Sequence, residues 1–197
     1  MKQSSLICGI AVLMAAFVFV SGAPIQKDAL SVIYGRKSVR IFIGDPVSKA
    51  DLEKILRAGM AAPTAMDMRP WNFVVITERN MLDKLADGLL YGKMLKKAGA
   101  AIIVCAVPGK AFNKQSEYAI LDSTLAGENI LLAAEALGIG AVWTAGYPLK
   151  EHMDFLRSTL NIPADIIPLN VIPIGKPRGI EEPKDKWNPE NIHWGMW

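Results

Sequence analysis

Arg36-Lys37-Ser38-Val39-Arg40 places three cations and a hydroxyl within five residues, directly after a short helical pattern. Lys184-Asp185-Lys186 adds two cations on alternate residues near the other end of the chain. Either run alone reads as a solvated surface. Taken together they contain the donors that a phosphate dianion requires, with Arg offering a planar fork and Lys a point charge. Between them lies Ala61-Ala62-Pro63-Thr64-Ala65-Met66-Asp67-Met68-Arg69-Pro70-Trp71. Its small and hydroxyl residues leave backbone close to any ligand, and Pro70 fixes the start of the apolar run that follows. By itself this segment reads as a helix-to-strand loop anchored by Trp71, since Pro-containing loops are common.

Other chemistries find no matching residues. His152 and His193 are far apart in sequence and lack neighbours at ligand spacing, so no metal site is expected. Cys8 lies in an N-terminal apolar run and Cys105 in a strand pattern, which leaves the rest of the chain without an internal disulfide. A formal net charge of +3, with Lys and Arg spread along the chain, gives no footprint for nucleic acid. Gly138-Ile139-Gly140 lacks the third glycine and the strand-to-helix context of a dinucleotide fingerprint.

The elements that must position the cations follow from periodicity and caps. At 197 residues, 51% apolar and 21% charged, the chain suits one domain with a sizeable core. Residues 28–34 read as a short helix ending at Gly35. Ser48 and Asp51 form a capping box for a helix carrying Leu52, Ile55, Leu56 and Met60, which Pro63 ends. Residues 72–77 and 101–107 read as strands, with a helix through Met81, Leu82, Leu85 and Leu89 between them. The segment 118–137 is apolar most of the way round. It is expected to be buried in a core or across a subunit interface, with Gly138 as its C-terminal cap. A strand at 141–145, a helix at 150–160 and a strand at 169–174 complete the pattern. Pro173 should lie at an edge or bulge, because it cannot donate to a ladder. Strands separated by helices imply a layered α/β or α+β domain.

Residues 1–22 stand apart. Lys2, an uncharged apolar run from Leu6 to Val20, and then Ser21, Gly22 and Ala23 have the grammar of a secretory signal peptide. Cleavage after Gly22 is preferred, because cleavage after Ala23 would leave Pro24 at the new terminus. The alternative is an uncleaved anchor. The domain is then 23–197. Its location is extracytoplasmic (periplasmic in a bacterium) if the signal is used, and otherwise membrane-anchored or cytoplasmic. Residues 175–197 form an arm with Trp187, Trp194 and Trp197, which must lie on the domain or on a partner subunit to cover that aromatic surface.

The chain resembles the FMN-dependent nitroreductase family over about residues 27–197. The resemblance rests on Arg36-Lys37-Ser38-Val39-Arg40, on Ala62-Pro63-Thr64-Ala65 leading to Pro70-Trp71, and on Glu128-Asn129 before Ile130-Leu131-Leu132. It continues through Gly138-Ile139-Gly140, Trp143-Thr144-Ala145-Gly146-Tyr147 and Ile174-Gly175-Lys176-Pro177. It implies an α+β fold with a mostly antiparallel central sheet flanked by helices. It also implies an intertwined homodimer with two FMN molecules at the interface and the arm embracing the partner.

By the same resemblance Arg36, Lys37, Ser38 and Arg40 line the FMN phosphate, ribityl chain and pyrimidine edge, and Lys184 and Lys186 close the phosphate site. Pro63, Thr64, Ala65 and Asp67 are implied as further cofactor contacts. Thr144, Ala145 and Gly146 are implied at the ring's reactive face, with the Gly146 N–H reaching its central nitrogen. Family members often carry Asn and Gln where this chain has Asp67 and Arg69. An Asp beside an electron-rich flavin disfavours the reduced anion unless a cation such as Arg69 pairs with it. Some relatives have an acidic residue where this chain has Ala145.

The implied activity is electron transfer from NAD(P)H, bound transiently over the flavin, to nitroaromatics, quinones or similar electron-poor acceptors. No catalytic side chain is named. Residues 89–97 and 108–115 are the expected lids. The alternative is an exported flavin-binding or redox-partner protein without NAD(P)H turnover.

Overall fold

The computed structural model describes residues 28–197, so the expected signal or anchor at 1–22 lies outside the described residues. The β-rich runs of the sequence become five strands: β1 (Trp71–Ile76), β2 (Ala100–Ala106), β3 (Gly140–Ala141), β4 (Thr144–Ala145) and β5 (Ile167–Gly175). Every pairing is antiparallel. β2 sits between β1 and β5, and the other side of β5 is taken by β3 and β4.

Strand alternation sorts β2 between two cores. Ala101, Ile103 and Cys105 face a cluster with Leu82, Leu85 and Leu156, whereas Ala100, Ile102 and Val104 face one with Leu52, Ile55 and Ile130. The described helices are α1 (Ala29–Gly35), α2 (Lys49–Met60), α3 (Arg79–Gly88), α4 (Ser116–Ala136) and α5 (Lys150–Leu160). α2 and α4 therefore cover one face of the sheet, and α3 and α5 the other. This is the α+β sandwich of an antiparallel sheet flanked by helices. Among the described residues no helix is long and apolar enough to cross a membrane.

Local signals account for the helix ends. Asp28 caps α1 by accepting the Ser31 N–H at 3.0 Å. Ser48 caps α2 by accepting the Asp51 N–H at 3.1 Å. Gly138 takes φ +70° just beyond α4, and the following Ile139 N–H turns back to the Ala134 carbonyl at 2.9 Å. α4 is buried along the face bearing Ala126, Ile130 and Ala134, but Leu121 and Leu125 are exposed on the described chain.

Two expectations need correction. The strand expected at 141–145 is broken into β3 and β4, with Val142 and Trp143 between them. Pro173 does not lie on an edge strand: it is inside β5, paired with Ala101 of β2. The two corrections share one cause. On its other side β5 faces the gap between β3 and β4, where Pro173 accepts from Val142 but has no N–H to return. The bulge of this strand is elsewhere, opposite Val104 and Cys105, at the level of Leu169.

Candidate functional site

The cationic segment is fixed by the residues it buries. Val39 and Phe42 enter a small core with Ala98, and the Val39 N–H donates to the Ala141 carbonyl of β3 at 3.0 Å. On the far side the Ile43 N–H bonds the Lys176 carbonyl and the Arg178 N–H bonds the Ile41 carbonyl, at 3.1 and 3.0 Å. The chain leaving β5 is thus strapped to the chain leaving α1. Both basic clusters are thereby held on one side of the sheet.

Arg36, Lys37, Ser38 and Arg40 share a cavity of about 470 Å³ with Lys184 and Lys186. The two runs chosen from sequence do meet. The first run arrives already partnered: Arg36 Nε lies 3.1 Å from Glu128 Oε1, and Lys37 Nζ lies 3.1 Å from Glu135 Oε2. Glu128 and Glu135 are seven residues apart on α4, two turns along one face. Arg40 folds back so that Nη1 donates to the Ser38 carbonyl at 3.2 Å. Lys184 and Lys186 have no ion-pair partner among the described residues.

A second cavity, of about 500 Å³, is lined by Arg40, Trp143, Thr144, Ala145 and His152. The turn at 89–94, with Leu89, Tyr91 and Met94, closes its other side. Arg40 therefore borders both spaces. A third, of about 290 Å³, joins Arg36 and Ser38 to Trp143. The three form a path from the tail lysines past Ser38 and Arg40 to the indole of Trp143. Residues 89–94 lie where the first expected lid was placed, while the second expected lid, 108–115, borders none of these spaces.

The walls of the ring-sized cavity are tied to β5 and α5. The Thr144 hydroxyl donates to the Val171 carbonyl at 2.6 Å. His152 is buried, with Nδ1 2.9 Å from the Ala145 carbonyl, so that nitrogen carries the hydrogen. Gly146 requires a correction. Its N–H is spent on the Leu169 carbonyl at 3.0 Å and is not free for a ligand. A Cβ there would come within 2.3 Å of the Pro168 carbonyl oxygen, so the packing against β5 by itself requires a glycine.

Pro63, Thr64, Ala65 and Asp67 border none of these cavities. Their loop is held to α4 by the Ala65 N–H, 3.2 and 3.3 Å from the two carboxylate oxygens of buried Asp122. Asp122 lies six residues before Glu128, about 9 Å along the helix from the Arg36 contact. Met66, Asp67 and Arg69 all have positive φ, at 52°, 55° and 51°. Each costs of order 1 kcal/mol that surrounding contacts must offset. Asp67 and Arg69 form a two-bond pair at 2.7 and 2.5 Å. That hydrogen bonding holds the exposed Asp67 carboxyl below its usual range and the Arg69 guanidinium above its own.

Sequence reasoning passed over Trp143, His152, Glu128 and Glu135 as site residues. The two glutamates carried a usable signal in their seven-residue spacing on a helix. His152 carried none, since only the fold brings the first turn of α5 under Ala145.

The model of the Nitroreductase family matches residues 33–92 and 79–176. A protein of Archaeoglobus fulgidus, provisionally named an NADH dehydrogenase/NAD(P)H nitroreductase, is 42% identical over 179 residues. That match covers 87% of this chain and all of the relative. A crystal structure from Parabacteroides distasonis with the same provisional name is 46% identical, with TM-score 0.81 over 86% of this chain and 98% of that one. A nitroreductase-like protein of Desulfovibrio desulfuricans, solved in complex with FMN, is 25% identical with TM-score 0.73, over 87% of this chain and 99% of that one. The sheet, α2 to α5 and the Arg36–Arg40 segment fall within the matched region, and by these matches the chain belongs to the nitroreductase family.

Proposed function

We propose that this oxidoreductase holds FMN along the path from Lys184 and Lys186 to Trp143, and passes electrons from NAD(P)H to nitroaromatics, quinones or similar acceptors. The observation that carries this reading is that Arg40 borders both the cationic cavity and the ring-sized one. The donor set suits the group. Two tail ammoniums without ion-pair partners among the described residues, a guanidinium and the Ser38 hydroxyl suit a phosphate and its chain, and a cavity walled by Trp143, Thr144 and Ala145 suits a flat ring. FMN supplies reversible two-electron chemistry when bound.

The chain's own residues bind and orient. Lys184 and Lys186 neutralise the phosphate, while Arg36 and Lys37, held by Glu128 and Glu135, keep a fixed direction. Arg40 offers a cation where negative charge grows on the pyrimidine edge. Trp143 and the turn at 89–94 form the walls between which two flat rings can be brought together, and that proximity is the larger part of what such a site contributes. The names of the similar proteins, which include NAD(P)H nitroreductase and FMN reductase, favour turnover on nicotinamide over a passive carrier role.

The functional unit is a homodimer. Leu121 and Leu125 on α4, Ile33 and Tyr34 on α1, and the tryptophans of the tail supply the apolar surface for it. In that assembly Pro63, Thr64, Ala65 and Asp67, which border none of the cavities described above, reach the cofactor of the second copy. Residues 1–22 direct export of the enzyme. The test is the absorption spectrum of the purified protein, followed by anaerobic mixing with NADH or NADPH. Stoichiometric flavin that bleaches promptly is expected. A colourless protein that takes up no FMN, or a yellow one that neither nucleotide bleaches, overturns the reading.

A further inference from the structure

Among the described residues, Asn170 Nδ2 and Glu181 Oε2 are buried side-chain polar atoms without a hydrogen-bond partner. The first lies within the sheet-helix core. The second lies in the cationic cavity, on the tail segment between Arg178, strapped to Ile41, and the two lysines. Glu181 Oε1 is held by the Arg40 backbone N–H at 3.4 Å, which directs the carboxylate inward. Oε2 is enclosed yet has no donor. The neighbouring cations do not close on it: Arg36 and Lys37 are taken by Glu128 and Glu135, and Arg40 Nη1 by the Ser38 carbonyl.

A buried acceptor left without a donor is costly, more so on a charged group. A phosphate cannot relieve it, because two anionic groups repel. What relieves it is a neutral donor a few ångströms from the phosphate, and that description fits the hydroxyl of a polyol or sugar phosphate. We propose that Glu181 Oε2 accepts a hydrogen bond from a ribityl hydroxyl of FMN. Glu181 then selects for the hydroxylated chain as the lysines select for phosphate. This rests on the FMN reading above. It assigns the tail two opposite recognition tasks within a few residues, with lysines for the charged end of the ligand and a carboxylate for its uncharged middle.

The experiment titrates FMN-free protein, wild type and Glu181→Ala, by flavin fluorescence. The ligands are FMN, riboflavin and a flavin whose five-carbon phosphate chain has hydrogens in place of hydroxyls. Glu181→Ala is expected to bind FMN and riboflavin about tenfold or more weakly, the loss of one hydrogen bond to a charged group. The hydroxyl-free phosphate should bind both proteins alike, which also reports that the variant's site is folded. Glu181→Gln, which keeps an acceptor oxygen, should fall between the two. Equal weakening for all three ligands, unchanged FMN binding, or tighter FMN binding in Glu181→Ala overturns the assignment while leaving the FMN reading intact. Failure of wild type to bind FMN overturns both.

Discussion

Arg36 and Lys37 carry their counter-ions with them, and this changes what their charges can do. A guanidinium fixed by Glu128 at 3.1 Å has already lost much of its rotamer freedom, so directing it at a ligand costs less further entropy. The tail lysines are exposed and have no ion-pair partner among the described residues, so they supply more of the attraction for an anion. Replacing Arg36 and Lys184 together by Ala removes one contact of each kind. At about 1.5–3 kcal/mol for each charge-assisted bond, FMN retention should fall on the order of a hundredfold or more. The flavin-to-protein ratio after gel filtration, with Kd by titration, checks this, and unchanged retention would sink the phosphate assignment. Cys105 makes the opposite case, a group whose chemistry the fold suppresses. Burial between β2 and the α3–α5 layer pushes its thiol up to about 12. Iodoacetamide at pH 8 should therefore leave the Cys105 peptide unmodified in native protein and alkylate it in denaturant, read by mass spectrometry. The cations and the apolar setting of Cys105 were legible in the sequence. The ion pairs were not, because Glu128 and Glu135 lie more than ninety residues beyond the segment they hold.

At the scale of elements, legibility followed how local the determining forces are. All five described helices were readable because their apolar spacing, and for some their caps, lie within or beside their own spans; the Ser48 cap and the Gly138 stop are examples. The break between β3 and β4 was hidden, since it faces Pro173, an imino acid on a different strand about thirty residues away. The placement of the 63–69 loop was hidden as well, because Asp122 of α4 holds it. Two predictions belong here. Ser48→Ala should cost about 1 kcal/mol in urea unfolding, the usual loss for an N-cap. The same cap is sensitive to acid. Hydrogen bonds from Lys54 and Ser48 hold the Asp51 carboxyl below its ordinary value. A depressed folded value means that the stabilisation is complete above the unfolded value of about 3.9, and is lost as pH falls through the folded one. Melting temperatures of Asp51→Asn and wild type should thus differ near neutrality and converge in acid; a constant difference from pH 7 to pH 3 would rule this out. Packing between elements adds a third test, since Gly127 of α4 faces Trp143. A Cβ there would come within 2.4 Å of the indole. Gly127→Ala should cost about 1–3 kcal/mol as the ring is displaced, and should perturb flavin absorbance, because Trp143 walls two of the cavities.

For the whole molecule, the question is what covers the apolar surface that one chain leaves in water. Trp187, Trp194 and Trp197 are 72%, 90% and 100% exposed, and Leu121 and Leu125 of α4 are exposed as well. At about 25 cal/mol per Å² and roughly 150–250 Å² for each aromatic side chain, covering three indoles gains of order 10 kcal/mol before the costs of association. A homodimer in which each tail lies on the other copy uses that surface. In the homodimer proposed above, Thr64 and Ala65 would meet the other copy's cofactor, whereas they border none of the cavities described above. Removing the whole tail would confuse the two effects, because Lys184, Lys186 and Glu181 would leave with the tryptophans. Trp194→Ala with Trp197→Ala keeps every charged group of the cationic cavity and removes only aromatic surface. If the tail acts through the partner, light scattering after gel filtration should show the mass fall from two chains to one as the protein is diluted, and flavin should be released over the same concentration range. Release of flavin from a variant that stays dimeric would place the tryptophans in the cofactor site itself. An unchanged dimer with unchanged flavin would show that this surface holds nothing together.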